Sequence, residues 1–402
     1  MAGALSHIKV LDLSRILAGP WAGQMLADFG AEVIKVERPG CGDDTRGWGP
    51  PFVKDQDGNP TDAAYFHAAN RGKHSIAIDM TTPEGQALIK RLAAEVDVVI
   101  ENYKVGGLKK YGLDYDSLKA VNPGLIYCSV TGFGQDGPYA ERAGYDFMIQ
   151  AMGGLMSVTG DADGQPMKVG VALVDVMTGL YACNAIQAAL LHRNESGIGQ
   201  YIDMALLDVQ VATLANQAMN YLVGGKPPVR LGNAHPNIVP YEAFPTADGH
   251  IILAVGNDTQ FARFCALAGA PELADNPAFA TNALRVENRS ALTPLVAELM
   301  RSHSSDWWLE NLGLQRVPCG PINSLDKVFD DPQVKHRQMQ IELPLPGGGN
   351  VPGVASPVKF SHTPIEYSAA PPALGQHTDQ ILSALGLSEA DIAQLKAGKV
   401  IA

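Results

Sequence analysis

The sequence predicts an α/β protein built on an open parallel sheet. Apolar runs of strand length recur along the first part of the chain and alternate with segments of helical length, which is the pattern of βαβ units. Several of these runs end in polar residues, as expected at the edge of an open sheet where ligands bind. The runs are IKVLDL at 8–13, AEVIKVE at 31–37, SIAID at 75–79, VDVVIE at 96–101 and LIYCSV at 125–130. We interpret them as a Rossmann-like large domain.

Helix signals separate these strands. Pro20 opens one helix and Pro83 another, because proline at the first helical position lacks only an amide that would go unused there. The longest predicted helix, at 170–193, is apolar almost all round, which is typical of a helix packed inside the protein. Gly197 to Gly199 then turn the chain into residues 200–204 and one long apolar helix to about residue 222.

A second, smaller α/β domain is predicted beyond this point. Gly224-Gly225 and Pro227-Pro228 interrupt the pattern and indicate a linker. A strand at 250–255 and helices near 259–267 and 292–300 come next. We therefore expect a large domain over residues 1–224 and a small domain with its linkers over residues 225–332.

Composition argues against several classes of function. The 42 acidic and 30 basic residues give a net charge of −12, which is unfavourable for binding nucleic acid or an anionic membrane. The loop at 14–19 lacks G-x-G-x-x-G, which argues against a dinucleotide-dependent oxidoreductase. The five cysteines have no metal-ligand spacing and no CxxC pair. We therefore expect no metal site and a cytoplasmic or other reduced compartment.

Asp175 lies near the start of the apolar helix at 170–193, where a carboxylate is costly to bury. One interpretation is that its oxygens cap the helix by accepting first-turn amides. The other is a carboxylate nucleophile, held partly buried where water is scarce. Together with Asn184 and Gln187, Asp175 also makes this helix a poor membrane span.

The segment around Asp175 resembles the nucleophile segment of the class III CoA-transferases, the formyl-CoA transferase type. The matching residues are Asp175, Thr178-Gly179, the run 185–190 and Arg193. In that family the corresponding aspartate attacks an acyl-CoA thioester, so the resemblance implies this role for Asp175.

The resemblance extends from Val10 to the last residues and includes the turn Pro318-Cys-Gly-Pro321. It implies that residues 333–402 return to the large domain, which both chain ends would then build. It also implies interlocked homodimers. Coenzyme A would enter as part of an acyl-CoA substrate, with no tightly bound cofactor.

Loop residues at the strand ends are assigned to coenzyme A. By the resemblance, backbone near Ile16 and the Arg38 side chain hold the nucleotide part, while Lys110 stands where formyl-type enzymes more often carry arginine. Arg71 and Lys73 belong to a compact basic turn suited to phosphate contacts. The assigned residues are Ile16, Leu17, Ala18, Arg38, Arg71, Lys73, Asn102, Tyr103, Lys110, Tyr111, Arg142 and Tyr145.

Tyr145 distinguishes two activities. The acyl-CoA racemases that resemble the same family carry histidine here to move an α-proton, and tyrosine is too weakly basic near neutrality to replace it. Transfer is therefore favoured over racemisation. A racemase, and a non-catalytic CoA-binding protein in which Asp175 only caps its helix, stay as alternatives.

The segment RLGNAHP at 230–236 stands where the family has a glycine-rich loop over the nucleophile. Its composition is more similar to members that pass coenzyme A between dicarboxylic acids, such as succinate and glutarate or a substituted glutarate. A second carboxylate on the acceptor favours cations or clustered donors. The residues assigned to substrate are Arg46, Gly232, Asn233 and His235, with Arg230 and Arg142 as further cations. Backbone amides of this loop are candidate oxyanion donors. The predicted function is transfer of coenzyme A from succinyl-CoA to a dicarboxylate.

Overall fold

The computed structural model describes residues 3–345 and 348–402. Contacts between residues divide the chain into two compact units. The large unit comprises Met1–Leu155, Val169–Ala218 and Gln333–Ala402, and the small unit comprises Met156–Lys168 and Met219–Pro332.

The large unit is organised around a six-stranded parallel sheet with the order β5-β2-β1-β6-β7-β8. Without the β3–β4 hairpin, which pairs by itself, this is the order of a doubly wound fold, and the predicted α/β class is confirmed. The strands are β1 Lys9–Asp12, β2 Glu32–Glu37, β3 Phe52–Lys54, β4 Pro60–Ala63, β5 Lys73–Ala77, β6 Val98–Glu101, β7 Ile126–Thr131 and β8 Tyr201–Ala205. The order reverses between β1 and β6, so a crevice is expected at the carboxyl ends of those two strands.

The helices in the part of the chain that precedes the strands of the small unit are α1 Ala18–Asp28, α2 Ala64–His67, α3 Pro83–Glu95, α4 Tyr115–Lys119, α5 Asp146–Met152, α6 Leu155–Val158, α7 Leu173–Ser196, α8 Leu206–Thr213 and α9 Ala215–Gly224. The single long helix predicted to end near residue 222 is thus two helices. Ala215, with a φ of 45°, lies outside the right-handed helical region and separates them.

Two apolar cores cover the faces of the sheet, because neighbouring strand residues point to opposite sides. Leu11 and Val99 belong to one core, and Val10 and Val98 belong to the other. Helix α7 packs in the second core together with α1. At Gly179 a Cβ atom would lie 2.9 Å from the carbonyl oxygen of Ala18, so only glycine allows this close crossing.

Helix α7 is also the one helix of the described residues that is long and apolar enough to pass a membrane-span test of length and hydropathy. Core helices pass the same test. Its buried side chains, such as Ala182 and Ile186, belong to the core beside the sheet.

The small unit has its own three-stranded antiparallel sheet, with the order β11-β10-β9. Its strands are β9 Tyr241–Pro245, β10 His250–Ala254 and β11 Cys319–Pro321. Its helices are α10 Asp258–Leu267, α11 Glu272–Asp275, α12 Asn282–Glu287, α13 Arg289–Met300, α14 Ser305–Leu314 and α15 Leu325–Asp330. Trp308, Phe261 and Phe264 are buried in its core.

The last part of the chain carries α16 Pro332–His336, the hairpin β12 Gln340–Pro344 with β13 Asn350–Val354, and the helices α17 Thr378–Ala384 and α18 Glu389–Ala397. Ile381 of α17 and Ile392 of α18 lie in the core that contains Leu11. The closing helices therefore pack on the large unit.

Candidate active site

A cleft of about 530 Å³ lies in the large unit, along the carboxyl ends of the parallel strands. Its volume is that of a small-molecule site. The lining residues follow successive strands: Arg15, Ile16, Leu17 and Ala18 after β1, Arg38 after β2, Met80 and Thr81 after β5, Asn102, Tyr103, Lys104, Lys110 and Tyr111 after β6, Arg142 and Tyr145 after β7, and Leu206 after β8. Asp175 and Glu141 also line the cleft.

Asp175 is the third residue of α7 and is partly buried. Among the described residues, none donates a hydrogen bond to its carboxylate. Burial raises the pKa of Asp175 to about 7, and the neighbouring charge of Asp146 acts in the same direction. An ionised carboxylate of this basicity is a better nucleophile than an ordinary solvated aspartate.

The start of α7 is capped by Asp146, the first residue of α5. Its Oδ1 atom accepts hydrogen bonds from the amides of Val174, at 2.8 Å, and Asp175, at 3.4 Å. The capping role that the sequence offered for Asp175 is therefore held by another acid, 29 positions earlier in the chain. Nothing in the local pattern RAGYDF separates this aspartate from a surface acid, so sequence reasoning missed it.

The β1 end of the cleft has a strained backbone. Ile16 has a φ of 73°, in the left-handed region that β-branched residues rarely adopt. The Asn102 side chain makes two hydrogen bonds to the backbone of Arg15, the residue before Ile16. Its Oδ1 atom accepts from the Arg15 amide at 2.9 Å, and its Nδ2 atom donates to the Arg15 carbonyl at 2.7 Å. Both oxygens of Asp43 accept from the Ile16 amide at 3.2 Å. These contacts keep the backbone of this loop in place against the cleft.

Several cations line the cleft. Arg38 is exposed and its Nε atom lies 2.7 Å from the Sγ atom of Cys41. The Nζ atom of Lys110 lies 4.7 Å from the ring centroid of Tyr111. The guanidinium of Arg142 lies 4.6 Å from the ring centroid of Tyr139.

Arg15 and Lys104 also line the cleft, although the sequence analysis did not assign them. Arg15 pairs with Asp44 at 2.7 Å, and Lys104 is exposed. Their position directly after strands was the available signal.

Three basic residues of the large unit that were assigned from the sequence lie outside this lining. Lys73 is fully buried and donates to Asp12 at 2.8 Å, while burial lowers the pKa of Lys73 to about 8. Arg71 binds both carboxylate oxygens of Asp28, at 2.8 and 2.5 Å.

The third of them, Arg46, donates to both oxygens of Glu37, at 2.8 and 2.6 Å, and to Asp62 at 2.6 Å. The geometry expected for a phosphate or carboxylate ligand is thus present at Arg46 and Arg71. The partners are acids of the chain itself, since these cations are buried in the large unit.

The loop at 230–236 belongs to the small unit. Arg230 donates to the carbonyl oxygens of Asp161, at 3.1 Å, and Gly164, at 2.8 Å. The Nδ1 atom of His235 accepts from the Asn237 amide at 3.1 Å. Gly232 and Asn233 line a separate cavity within the small unit. The assignment of this loop to substrate and oxyanion stays a prediction.

The fold and the cleft define an α/β enzyme that presents a carboxylate at the ligand edge of its sheet, and comparison with known proteins identifies its class. The chain belongs to CoA-transferase family III, whose family model matches residues 5–378. It is therefore an enzyme of the CoA-transferase kind, with acyl-CoA and carboxylic acid substrates.

Two curated relatives and one solved structure are similar over almost the whole chain. The succinate–glutarate CoA-transferase of Agrobacterium fabrum is 57% identical over 382 residues, which are 95% of each chain. The human succinyl-CoA:glutarate CoA-transferase is 47% identical over 94% of this chain and 85% of its own length. The crystal structure of a CaiB/BaiF family protein from Brucella suis matches with a TM-score of 0.85 and 55% identity, covering 96% of this chain and 100% of that one.

Proposed function

We propose that this enzyme transfers coenzyme A from succinyl-CoA to glutarate, with Asp175 as the acyl acceptor. The observation that carries the proposal is the state of the Asp175 carboxylate. It lines the cleft, lacks a hydrogen-bond donor among the described residues, and has a pKa raised by burial to about 7. The substrate pair is supported by the names of the two relatives, at 57% and 47% identity.

The reaction begins when a carboxylate oxygen of Asp175 attacks the thioester carbonyl of succinyl-CoA. The C–S bond breaks, giving a succinyl-aspartyl anhydride and CoA thiolate. The thiolate then attacks the Asp175 carbonyl, which forms an aspartyl-CoA thioester and releases succinate. Succinate leaves with one oxygen that belonged to Asp175.

The second half runs in reverse with the other acid. A carboxylate oxygen of glutarate attacks the aspartyl-CoA thioester and expels CoA thiolate, giving a glutaryl-aspartyl anhydride. The thiolate attacks the glutaryl carbonyl, so glutaryl-CoA leaves and the Asp175 carboxylate is restored with one oxygen from glutarate. Each tetrahedral stage develops an oxyanion that amide donors stabilise.

Coenzyme A is proposed to lie along the strand ends. The backbone at Ile16, Leu17 and Ala18 and the side chains of Arg38, Tyr103 and Lys110 line this path. Exposed cations suit the phosphates, while binding of the nucleotide supplies remote energy that positions the thioester at Asp175.

Assembly and location follow the same proposal. We propose a homodimer, supported by apolar side chains left exposed on the large unit, such as Phe147 at 57% and Leu191 at 68%. We also propose that the enzyme needs no tightly bound cofactor, since the aspartyl mechanism requires none. A reduced compartment fits the five cysteines, all of them free thiols.

The direct test follows glutaryl-CoA formation from succinyl-CoA and glutarate. Pentanoate, which has the same length and one carboxylate fewer, serves as the matched acceptor. We expect glutaryl-CoA from glutarate and little pentanoyl-CoA. A protein that transfers coenzyme A to neither acid, or that takes deuterium into the α-carbon of an acyl-CoA without exchange of acids, would refute the proposal.

A second arm locates the intermediate. Incubation with succinyl-CoA and hydroxylamine traps the activated aspartate as a hydroxamate, which peptide mass spectrometry detects. We expect the modification at Asp175, and none in Asp175→Ala, which should still bind coenzyme A.

A further inference from the structure

We infer that Asp146 is a positioning residue that keeps the Asp175 carboxylate unpaired by occupying the amides at the start of α7. The inference rests on the proposed function, because it concerns how the nucleophile is kept reactive. An acid in the first turn of a helix ordinarily gains from the free amides there, which stabilise its charge and weaken it as a base.

The amides of the first three residues of α7, Leu173, Val174 and Asp175, all have other acceptors. The amides of Val174 and Asp175 donate to Asp146 Oδ1, at 2.8 and 3.4 Å. The Leu173 amide donates to the Val171 carbonyl at 2.8 Å, and the Val176 amide donates to the Ala172 carbonyl at 3.1 Å. The Val176 bond is the first one within the helix, and the amides of Leu173, Val174 and Asp175 are three of the four that a helix leaves unpaired at its start. None of these three amides is therefore left to donate to the Asp175 carboxylate.

Asp146 is itself held in place from its other oxygen. The Nε2 atom of Gln150 donates to Asp146 Oδ2 at 2.7 Å. Gln150 is fully buried, and its Oε1 atom accepts from the Val169 amide at 2.9 Å. Asp146 and Gln150, both on α5, thus hold two neighbouring parts of the chain. Gln150 binds the segment that leads into α7, and Asp146 binds the first turn of that helix.

The charge of Asp146 adds to this effect. Like charges in proximity disfavour ionisation, and Asp146 raises the pKa of Asp175 in the same direction as burial does. The hydroxyl of Tyr65 on α2 also responds to both acids, since burial and the charges of Asp175 and Asp146 raise its pKa. Glu141, Arg142 and Tyr145 are the titratable groups that the loop before α5 contributes to the same cleft.

Two substitutions separate the parts of this role. Asp146→Ala frees two amides for the Asp175 carboxylate, and Asp146→Asn keeps an oxygen that can accept them while it removes the charge. The measurement is the single-turnover rate of hydroxylamine-trapped adduct at Asp175, together with the KM for succinyl-CoA and the pH profile. Asp136→Asn, which removes an exposed acid of the same loop that does not line the cleft, is the matched control.

We expect Asp146→Ala to slow adduct formation by about 100-fold, the size of effect that a misplaced reacting group has, with the KM changed by less than about threefold. Asp146→Asn should lose less rate, and both should move the acidic limb of the profile to lower pH. Asp136→Asn should match the wild type.

An adduct rate for Asp146→Ala within about threefold of the wild type would overturn the inference. So would Asp146→Asn with an unshifted acidic limb, whether or not Asp146→Ala folds. A wild-type protein that forms no adduct would instead refute the proposed function, so the two failures are distinguishable.

Discussion

Two regions of the large unit carry acids at or just below the ligand edge of the sheet. In one region the acids are paired with cations, and in the other the acid has no cation beside it. Beneath the first strands, three buried acids each meet a cation: Asp12 pairs with Lys73 at 2.8 Å, Asp43 with Lys35 at 2.9 Å and Glu37 with Arg46 at 2.6 Å. At the start of α7, Asp175 lines the cleft, and none of the described side chains pairs with it as a cation. The first region serves the fold, and the second is available for chemistry.

The pKa values express the same contrast. Burial by itself acts to raise the pKa of each of these buried carboxyls. At Asp43 the charge of Lys35 and its hydrogen bond outweigh burial and bring the pKa down to about 2. At Asp175, burial and the charge of Asp146 act together and raise the pKa to about 7. Comparable desolvation therefore gives a permanently ionised structural acid in one place and a basic, reactive carboxylate in the other.

The largest expected effect is at the unpaired acid. Asp175→Asn should abolish transfer, by about 10⁴-fold or more, because the asparagine amide is no nucleophile. The same substitution should stabilise the fold. A carboxyl whose pKa is higher in the folded than in the unfolded state costs stability as pH rises from about 4 to about 7. The variant lacks that cost.

Thermal or urea unfolding at pH 4 and pH 8 checks this prediction. The variant should match the wild type near pH 4 and exceed it by about 1–3 kcal/mol at pH 8. A variant less stable than the wild type at pH 8 would mean that the Asp175 charge has a stabilising partner.

The paired region should respond in stability rather than in chemistry. Lys73→Met leaves the buried Asp12 without its cation, which should lower the free energy of unfolding by about 3–5 kcal/mol. Lys104→Met is the matched control, since Lys104 is exposed at the cleft. It should change stability by less than about 0.5 kcal/mol. Urea titration measures both, and equal effects would erase the distinction between the two kinds of cation.

A third substitution tests the strained loop between the two regions. Asn102→Ala removes both hydrogen bonds to the Arg15 backbone, so the left-handed Ile16 should relax and the affinity for coenzyme A should fall by about 10-fold. In Asn102→Ala combined with Ile16→Gly, part of that affinity should return, because glycine adopts this φ without strain. Calorimetric titration with coenzyme A decides the matter. A double variant that binds coenzyme A no more tightly than Asn102→Ala does would contradict the role of strain.

The smallest effect is expected at an exposed cation. Arg38→Gln should raise the KM for succinyl-CoA by about five- to tenfold at low ionic strength, and less at 0.5 M salt, because exposed charges are screened. Stability should not change. Arg337→Gln, an exposed arginine that is not part of the lining, is the control and should leave the KM unaltered.

The sheet was predictable from the sequence because buried parallel strands read as short apolar runs, and five of its six strands were recognised in the first third of the chain by that signal. Asp175 was found because a carboxylate on an apolar helix is unusual. The break between α8 and α9 was not found, since neither glycine nor proline marks residues 214–215.

The sequence could not separate the cations of the cleft from the cations of the core. Arg38 and Lys73 both stand near a strand of the sheet, and what distinguishes them is Asp12, which is 61 positions from Lys73. The cap on α7 has the same character, because Asp146 and Val174 are 28 positions apart. Pairing across such distances depends on the fold, and single-sequence patterns contain no record of it.

One isotope experiment tests the central claim, that the unpaired Asp175 carboxylate carries the acyl group. The enzyme turns over succinyl-CoA with glutarate whose carboxylates hold ¹⁸O, and is then digested with trypsin in unlabelled water. Asp175 is the only acidic residue of the tryptic peptide 169–193. The aspartyl mechanism predicts one ¹⁸O in that peptide after a single turnover and none in peptides that hold Asp12 or Asp43. Glutaryl-CoA formed without label in peptide 169–193 would contradict it.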